Sequence, residues 1–138
     1  MTYHGPGQLV GYPVVHLRTG VRAHVEGMAT ALIEVLAGCG VTAHYRPDAP
    51  GLWVATPGGE AKICAFGINV RRRVSIHGFA LNLSPDLNAF GLIVPCGLSG
   101  TAVTSVQALR GTAPTPQELA PRAAEALGSH LGFAFALQ

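Results

Sequence analysis

Between Leu52 and Leu83 the sequence sets short apolar runs between strong turn signals, and that spacing suits a sheet and little else. Leu52 to Thr56 and Ala61 to Val70 flank Thr56-Pro-Gly-Gly-Glu60, and Val74 to Leu83 follows Arg71-Arg72-Arg73. Runs of this length are strand-like, and Pro-Gly between two of them is a hairpin signal. Simple alternation through Ala61 to Val70 sends Lys62, Cys64, Phe66 and Ile68 to one face and Ile63, Ala65 and Gly67 to the other. Both sets are largely apolar, as in a strand covered on both sides. Lys62 therefore falls near the start of a central strand. A lysine there either snorkels to solvent on its apolar stem or turns into a site. It is also the only lysine in the chain, every other basic position being Arg.

The flanking sequence supplies helices and further strands. Met1 to Gln8 carries two glycines and a proline and reads as a loop rich in hydrogen-bonding groups (Thr2, Tyr3, His4, Gln8), with a strand from Leu9 to Val15 after it. Val21 to Ala37 has helical periodicity, with Val21, Val25, Met28, Leu32 and Leu36 on one stripe and Gly38 and Gly40 as the stop. His24 falls in its first turn, a solvated position. Val41 to Tyr45 is a short strand and Val103 to Leu109 a further one. Pro116 to Leu131 is a helix with Pro116 near its start and Glu118 in its first turn, and Gly132 to Leu137 is a closing strand. Strands in the middle and helices on the flanks predict an α/β (α+β) domain with a mixed, largely antiparallel sheet. At 138 residues that is one domain spanning 1–138.

Composition removes several classes of function. With 49% hydrophobic residues, 12% charged and a net charge of +2, the chain is neither disordered nor built to bind nucleic acid through massed charge. No apolar run has the length of a membrane span. Cys39, Cys64 and Cys96 are odd in number and lack CxxC spacing, so neither a disulfide framework nor a metal site is expected and the cytoplasm is the expected compartment.

Chemistry concentrates in Phe90-Gly-Leu-Ile-Val-Pro-Cys-Gly97. Leu92 to Val94 suits a buried strand, Pro95 marks its exit from the ladder, and Gly97 permits a tight turn that puts Cys96 at its lip. A thiol beside a free backbone N–H has the form of a nucleophile with an oxyanion donor. Most cysteines are inert core residues all the same, and the motif alone does not decide between the two. His77 and Gly78 interrupt the last strand, where glycine often marks a bulge or a close approach.

Three stretches together resemble the octanoyltransferase family of lipoate biosynthesis, the lipoyl(octanoyl) transferases. They are Thr2-Tyr-His-Gly-Pro-Gly-Gln-Leu-Val-Gly-Tyr-Pro13, then Lys62-Ile-Cys-Ala-Phe-Gly-Ile-Asn-Val70 with His77-Gly-Phe-Ala-Leu-Asn82, then Ile93-Val-Pro-Cys-Gly-Leu98. The resemblance implies the fold of biotin and lipoate protein ligase catalytic domains. It implies acyl transfer through a thioester on Cys96, assisted by Lys62, from octanoyl-acyl carrier protein to the lysine of a lipoyl domain. Such domains belong to the 2-oxoacid dehydrogenases and the glycine cleavage H protein. The acyl chain would be lined by Thr2, Tyr3, His4 and Gly5, by Ala65, Phe66 and Gly67, and by His77, Gly78, Phe79 and Ala80. No metal or cofactor is implied.

Family members carry further residues ahead of this point, including strands of the sheet and an Arg-Gly-Gly just before the Thr-Tyr-His. Met1 stands where an aliphatic residue, often valine, is usual, and the expectation is a GTG valine codon serving as start inside a longer reading frame. Two other readings stay open: an ATP-dependent lipoate or biotin ligase, and an inactive remnant that only binds partners. Acidic partners would be steered by Arg71, Arg72 and Arg73 if that basic turn is more than a solvated hairpin tip.

Overall fold

The computed structural model of the chain describes residues 6–11, 20–67, 70–71, 74–75, 78–85 and 102–132. In chain order these form β1 (Gln8–Gly11), α1 (Val21–Gly38), β2 (His44–Tyr45), β3 (Gly51–Thr56), β4 (Gly59–Phe66), β5 (Val70–Arg71), β6 (Val74–Ser75), β7 (Phe79–Asn82), α2 (Val106–Arg110) and α3 (Pro116–Leu131). Five strands make one antiparallel sheet in the order β1-β7-β4-β3-β2, which puts β4 at its centre. β3 and β4 form the expected hairpin, with Thr56 opposite Gly59 across Pro57-Gly58. The long expected strands on either side of the arginines are each broken. β4 stops at Phe66 and β7 starts at Phe79, while β5 and β6 form a separate pair with Val70 opposite Ser75 and Arg71 opposite Val74. The amide of Gly67 donates to Gly78 O at 2.8 Å and closes the β4–β7 ladder just before that break.

Helices α1 and α3 cover one face of the sheet. Leu9, Leu52, Val54, Ile63, Cys64, Phe79 and Leu81 from the strands join Met28, Leu32, Val35 and Leu36 of α1 and Leu119, Ala123 and Leu127 of α3 in one core. Each fully buried Leu or Met contributes about 1.5–3 kcal/mol relative to exposure. The buried stripe of α1 keeps the expected Met28, Leu32 and Leu36, with Ala29 and Val35, and departs from it at the start, where His24 is buried and Val21 is 47% exposed. His24 is thus buried, contrary to its expected solvated place, because it stands one turn ahead of Met28 on the inward face.

The helix expected from Pro116 to Leu131 has those bounds in the structure, opened by a capping box between Thr115 and Glu118. The expected strand Val103 to Leu109 is corrected. Only Val103 bridges to the sheet, and Ser105 then caps the short helix α2 by accepting from the amide of Ala108 at 3.0 Å. A serine hydroxyl that satisfies a helix N-terminus outweighed the β-branched run before it. Among the described residues, no helix is long and apolar enough to cross a membrane. The expected strand ends at Tyr12–Val15 and Phe133–Leu137 lie outside the described residues.

Candidate active site around Lys62

Lys62 occupies an irregularity in β4. Leu52 pairs with Cys64 but its neighbour Trp53 pairs with Lys62, so Ile63 is an extra residue in the ladder, a β-bulge. Residues paired across antiparallel strands share a face, and successive residues alternate. Cys64 therefore follows Leu52 to the helix side, while Lys62 follows Trp53 to the other. The alternation expected from sequence, with Lys62 and Cys64 on one face, fails for this reason. Beyond the bulge the same register puts Ala65 opposite Ala80, and Ala80 opposite Val10. Lys62, Ala65 and Ala80 thus share the face that the helices leave alone, and Ala80 stands outside the helix-side core.

The backbone of Lys62 is held from its other edge by a distant segment. Its N–H donates to Ala102 O at 2.9 Å, and its carbonyl accepts from Thr104 N–H at 2.9 Å, a parallel bridge centred on Val103. Ala102 to Thr104 thereby takes the place beside β4 that β7 vacates after Asn82. A line of buried amides fixes it there. Gln8 Nε2 donates to Asn82 Oδ1 at 2.8 Å, and Asn82 Nδ2 donates to Thr104 O at 3.1 Å. Leu83 and Ser84 both donate their N–H groups to Gly7 O, which locks the exit of β7 to the start of β1.

The Lys62 side chain is buried, with 7% of the residue exposed. Its Nζ lies 5.3 Å from the centroid of the Trp53 ring, within cation–π range. Its stem passes over Gly51, where a Cβ would sit 3.3 Å from Lys62 Cε and 2.5 Å from Cys64 O. Gly51 also has φ +150°, a conformation that L side chains rarely adopt, so both the close approach and the backbone call for glycine here.

Three other ionisable groups are shifted by burial. Burial pushes the Cys64 thiol far up from its ordinary value, against the opposing pull of Lys62, so it stays a protonated core residue. Burial also raises the Cys39 thiol, with Arg122 acting the other way. His24 is pushed down by burial, and its Nε2 has no hydrogen-bond partner among the described residues.

Of the residues singled out from sequence, the structure describes Lys62, Ala65, Phe66, Gly67, Gly78, Phe79 and Ala80; Cys96, Thr2, Tyr3, His4, Gly5 and His77 lie outside the described residues. Lys62, Ala65 and Ala80 come together on the face away from the helices. Phe79 belongs to the helix-side core, and Phe66 packs against it and stacks on Tyr45 at 5.9 Å. Trp53, Gly51, Asn82 and Thr104 were not foreseen as parts of the Lys62 setting. Trp53 did carry a signal, being the only tryptophan in the chain and set next to a Pro-Gly turn.

Residues 1–128 match the model of the lipoyl protein ligase A/B catalytic domain. The chain belongs to that family. Within this ligase-and-transferase family it is 51% identical over 111 residues to an octanoyltransferase of Zymomonas mobilis subsp. mobilis, covering 78% of this chain and 51% of that protein. The octanoyltransferase of Chromohalobacter salexigens is 45% identical over 135 residues, covering 96% of this chain and 60% of the relative. That of Chloroflexus aurantiacus is 42% identical over 142 residues, covering 100% of this chain and 61% of the relative. The chain thus spans between 51% and 61% of the length of these three relatives. Its fold matches the crystal structure of biotin protein ligase from Aquifex aeolicus with a TM-score of 0.70 at 11% identity, covering 91% of this chain and 53% of that one. The expected ligase-like α+β architecture is therefore the one observed.

Proposed function

We propose that this chain is the acyl-transfer unit of an octanoyltransferase, moving octanoyl from octanoyl-acyl carrier protein to the lysine of a lipoyl domain through a thioester on Cys96. The supporting observation is the setting of its single lysine. Lys62 is buried on the face of the sheet away from the helices and clamped to Ala102–Thr104, the segment into which the stretch carrying Cys96 leads. In the proposed first step the Cys96 thiolate attacks the donor carbonyl, the Cys96 S–C bond forms, and the carrier leaves as its thiol after taking a proton. In the second step the acceptor amine attacks the new thioester, an amide forms, and the amine proton is removed as the Cys96 sulfur departs.

Lys62 has a part in both steps. A free thiol of pKa ~8.5 is only a few per cent thiolate at neutral pH. An ammonium about 4 Å away favours the thiolate by up to ~4 kcal/mol at an effective dielectric of 20. As a base in its neutral form, the same side chain accepts the proton of the attacking thiol and later that of the acceptor amine. The octanoyl tail, with about six methylenes at roughly 0.8 kcal/mol each, gains some ~5 kcal/mol from a dry channel. Ala65, Gly67, Gly78 and Ala80 are small enough to leave that channel open, with the backbone of Phe66 and Phe79 and the residues Thr2, Tyr3, His4, Gly5 and His77 as the rest of its wall. No cofactor enters this scheme. The partners are the acyl carrier protein and the lipoyl domains of 2-oxoacid dehydrogenases and glycine cleavage H protein, in the cytoplasm.

The test is intact mass after mixing with octanoyl-acyl carrier protein without ATP. A gain of about 126 Da that a lipoyl domain then removes is the expected result for a covalent thioester. A requirement for ATP would replace this reading with that of a ligase. No adduct under any condition would leave a binding-only chain.

A further inference from the structure

We infer that Trp53 is a positioning residue for Lys62: its indole face fixes the orientation of the ammonium in the acyl transfer proposed above, on which this inference rests. The ring is itself held in place, so it acts as a fixed wall and not as a follower of the lysine. Its Nε1 donates to Ala49 O at 2.9 Å. The guanidinium of Arg46 lies 4.8 Å from its centroid, and Arg46 is in turn tied to Asp48 at 2.8 Å and Glu60 at 3.3 Å. The ring and Lys62 are comparably buried, with 6% and 7% of each residue exposed, so water competes little for the ammonium. A cation held against an aromatic face gains most when it is desolvated in this way.

The register explains how Trp53 comes to face Lys62. The bulge at Ile63 brings Lys62 opposite Trp53 across the hairpin, on the same face. In an unbroken ladder continuing from Leu52–Cys64, Trp53 would pair with Ile63 and the lysine would fall opposite Val54, on the helix side. Lysine has a long stem with four rotatable bonds, and a base or charge that wanders loses rate even when it stays in the site. Gly51 opens the path for the stem, the 102–104 bridge fixes its backbone, and the indole limits where its end can go.

The single lysine makes the experiment direct. In protein labelled with ¹³C-lysine, the one Hε–Cε signal is expected upfield of its random-coil position, shifted by the indole ring. Trp53→Phe keeps an aromatic face and is expected to retain part of the shift and a turnover within about threefold of wild type. Trp53→Leu is expected to lose the shift and about tenfold in kcat, with KM for an octanoyl thioester little changed. Far-UV circular dichroism and melting temperature on all three proteins separate these effects from unfolding. Wild-type turnover in Trp53→Leu overturns the inference. So does an equal loss in the Phe and Leu variants that tracks their melting temperatures, which is what packing alone would give. A wild-type chain that transfers octanoyl with its lysine signal at the random-coil position overturns the Trp53–Lys62 pairing and leaves the transfer reading intact. A shifted signal in a chain that never transfers octanoyl overturns the transfer reading, and with it the catalytic purpose assigned to the pairing.

Discussion

Asn82 donates from its side-chain amide to the carbonyl of Thr104 at 3.1 Å, and through that bond the end of β7 holds the segment that clamps Lys62. The two residues are 5% and 7% exposed, so water cannot readily replace the bond. Asn82 also accepts from Gln8, which makes it the middle of a relay from β1 to the lysine.

Removing the middle member should therefore cost more than removing the end. Asn82→Ala removes the bonds to both the Gln8 amide and the Thr104 carbonyl, with an expected loss of about 1–3 kcal/mol in urea unfolding. Gln8→Ala leaves the bond from Asn82 to Thr104 in place and should cost less. Equal losses would show that the relay does not act as a connected unit.

The three cysteines should separate cleanly by reactivity. Cys64 is fully buried with its thiol pushed up, and Cys39 is raised less and partly covered, so neither should label quickly at neutral pH. Cys96 is expected to label first with a maleimide, as mapped by peptide mass. Cys96→Ser should abolish the octanoyl adduct, while Cys39→Ser and Cys64→Ser should keep it. An undiminished adduct on the Cys96→Ser protein would remove Cys96 from the scheme.

Lys62→Arg separates charge from proton transfer. Arginine keeps the positive charge but does not deprotonate in proteins. If charge alone matters, Cys96 still labels rapidly and transfer survives in part. If proton transfer matters, labelling persists while turnover falls by roughly 10²-fold or more. Wild-type rates in a folded Lys62→Ala chain would return Lys62 to a purely structural role.

A pH test addresses the scaffold. The backbone N–H of Thr115, and then its hydroxyl, hold the Glu118 carboxyl below its usual range. A folded pKa below the unfolded one adds stability that is fully present above the unfolded value and lost as pH falls through the folded value. Wild type should therefore exceed Glu118→Gln in urea midpoint at pH 7, and the gap should close as pH falls below about 4. A gap that stays constant through that range would deny the carboxylate its capping role. Thr115→Ala should cost about 1 kcal/mol at neutral pH.

The parts of the fold set by local chemistry were legible in the sequence. The Pro-Gly hairpin, the glycine stop after α1 and the Thr-Pro-x-Glu start of α3 all announce themselves within a few residues. What local chemistry does not fix was harder to read. The extra residue at Ile63 leaves no mark in an apolar run, so the face of Lys62 was assigned by an alternation that the ladder does not keep. His24 looked solvated because a helix stripe read from aliphatics alone skips a buried imidazole. The helical turn at Val106 hid behind valines and threonines, although Ser105 supplied the cap. The lysine itself stood out by being alone of its kind. Trp53 reaches it only through a bulge that the foreseen hairpin does not announce, and Thr104 through a bridge between distant segments that no short window of sequence contains.

The parallel bridge at Val103 also has a consequence in time. The β3–β4 hairpin closes over a turn of a few residues, whereas the bridge from Lys62 to Val103 must close a loop of far greater sequence separation, and such non-local pairings form slowly. A refolding chain should bring Trp53 into its hairpin before the amide of Thr104 gains protection from exchange. Pulse-labelling that finds both protected in one step would contradict this order. A nascent chain would then own its hairpin before it owns a seated lysine, whose backbone is clamped only once residues 102–104 have arrived.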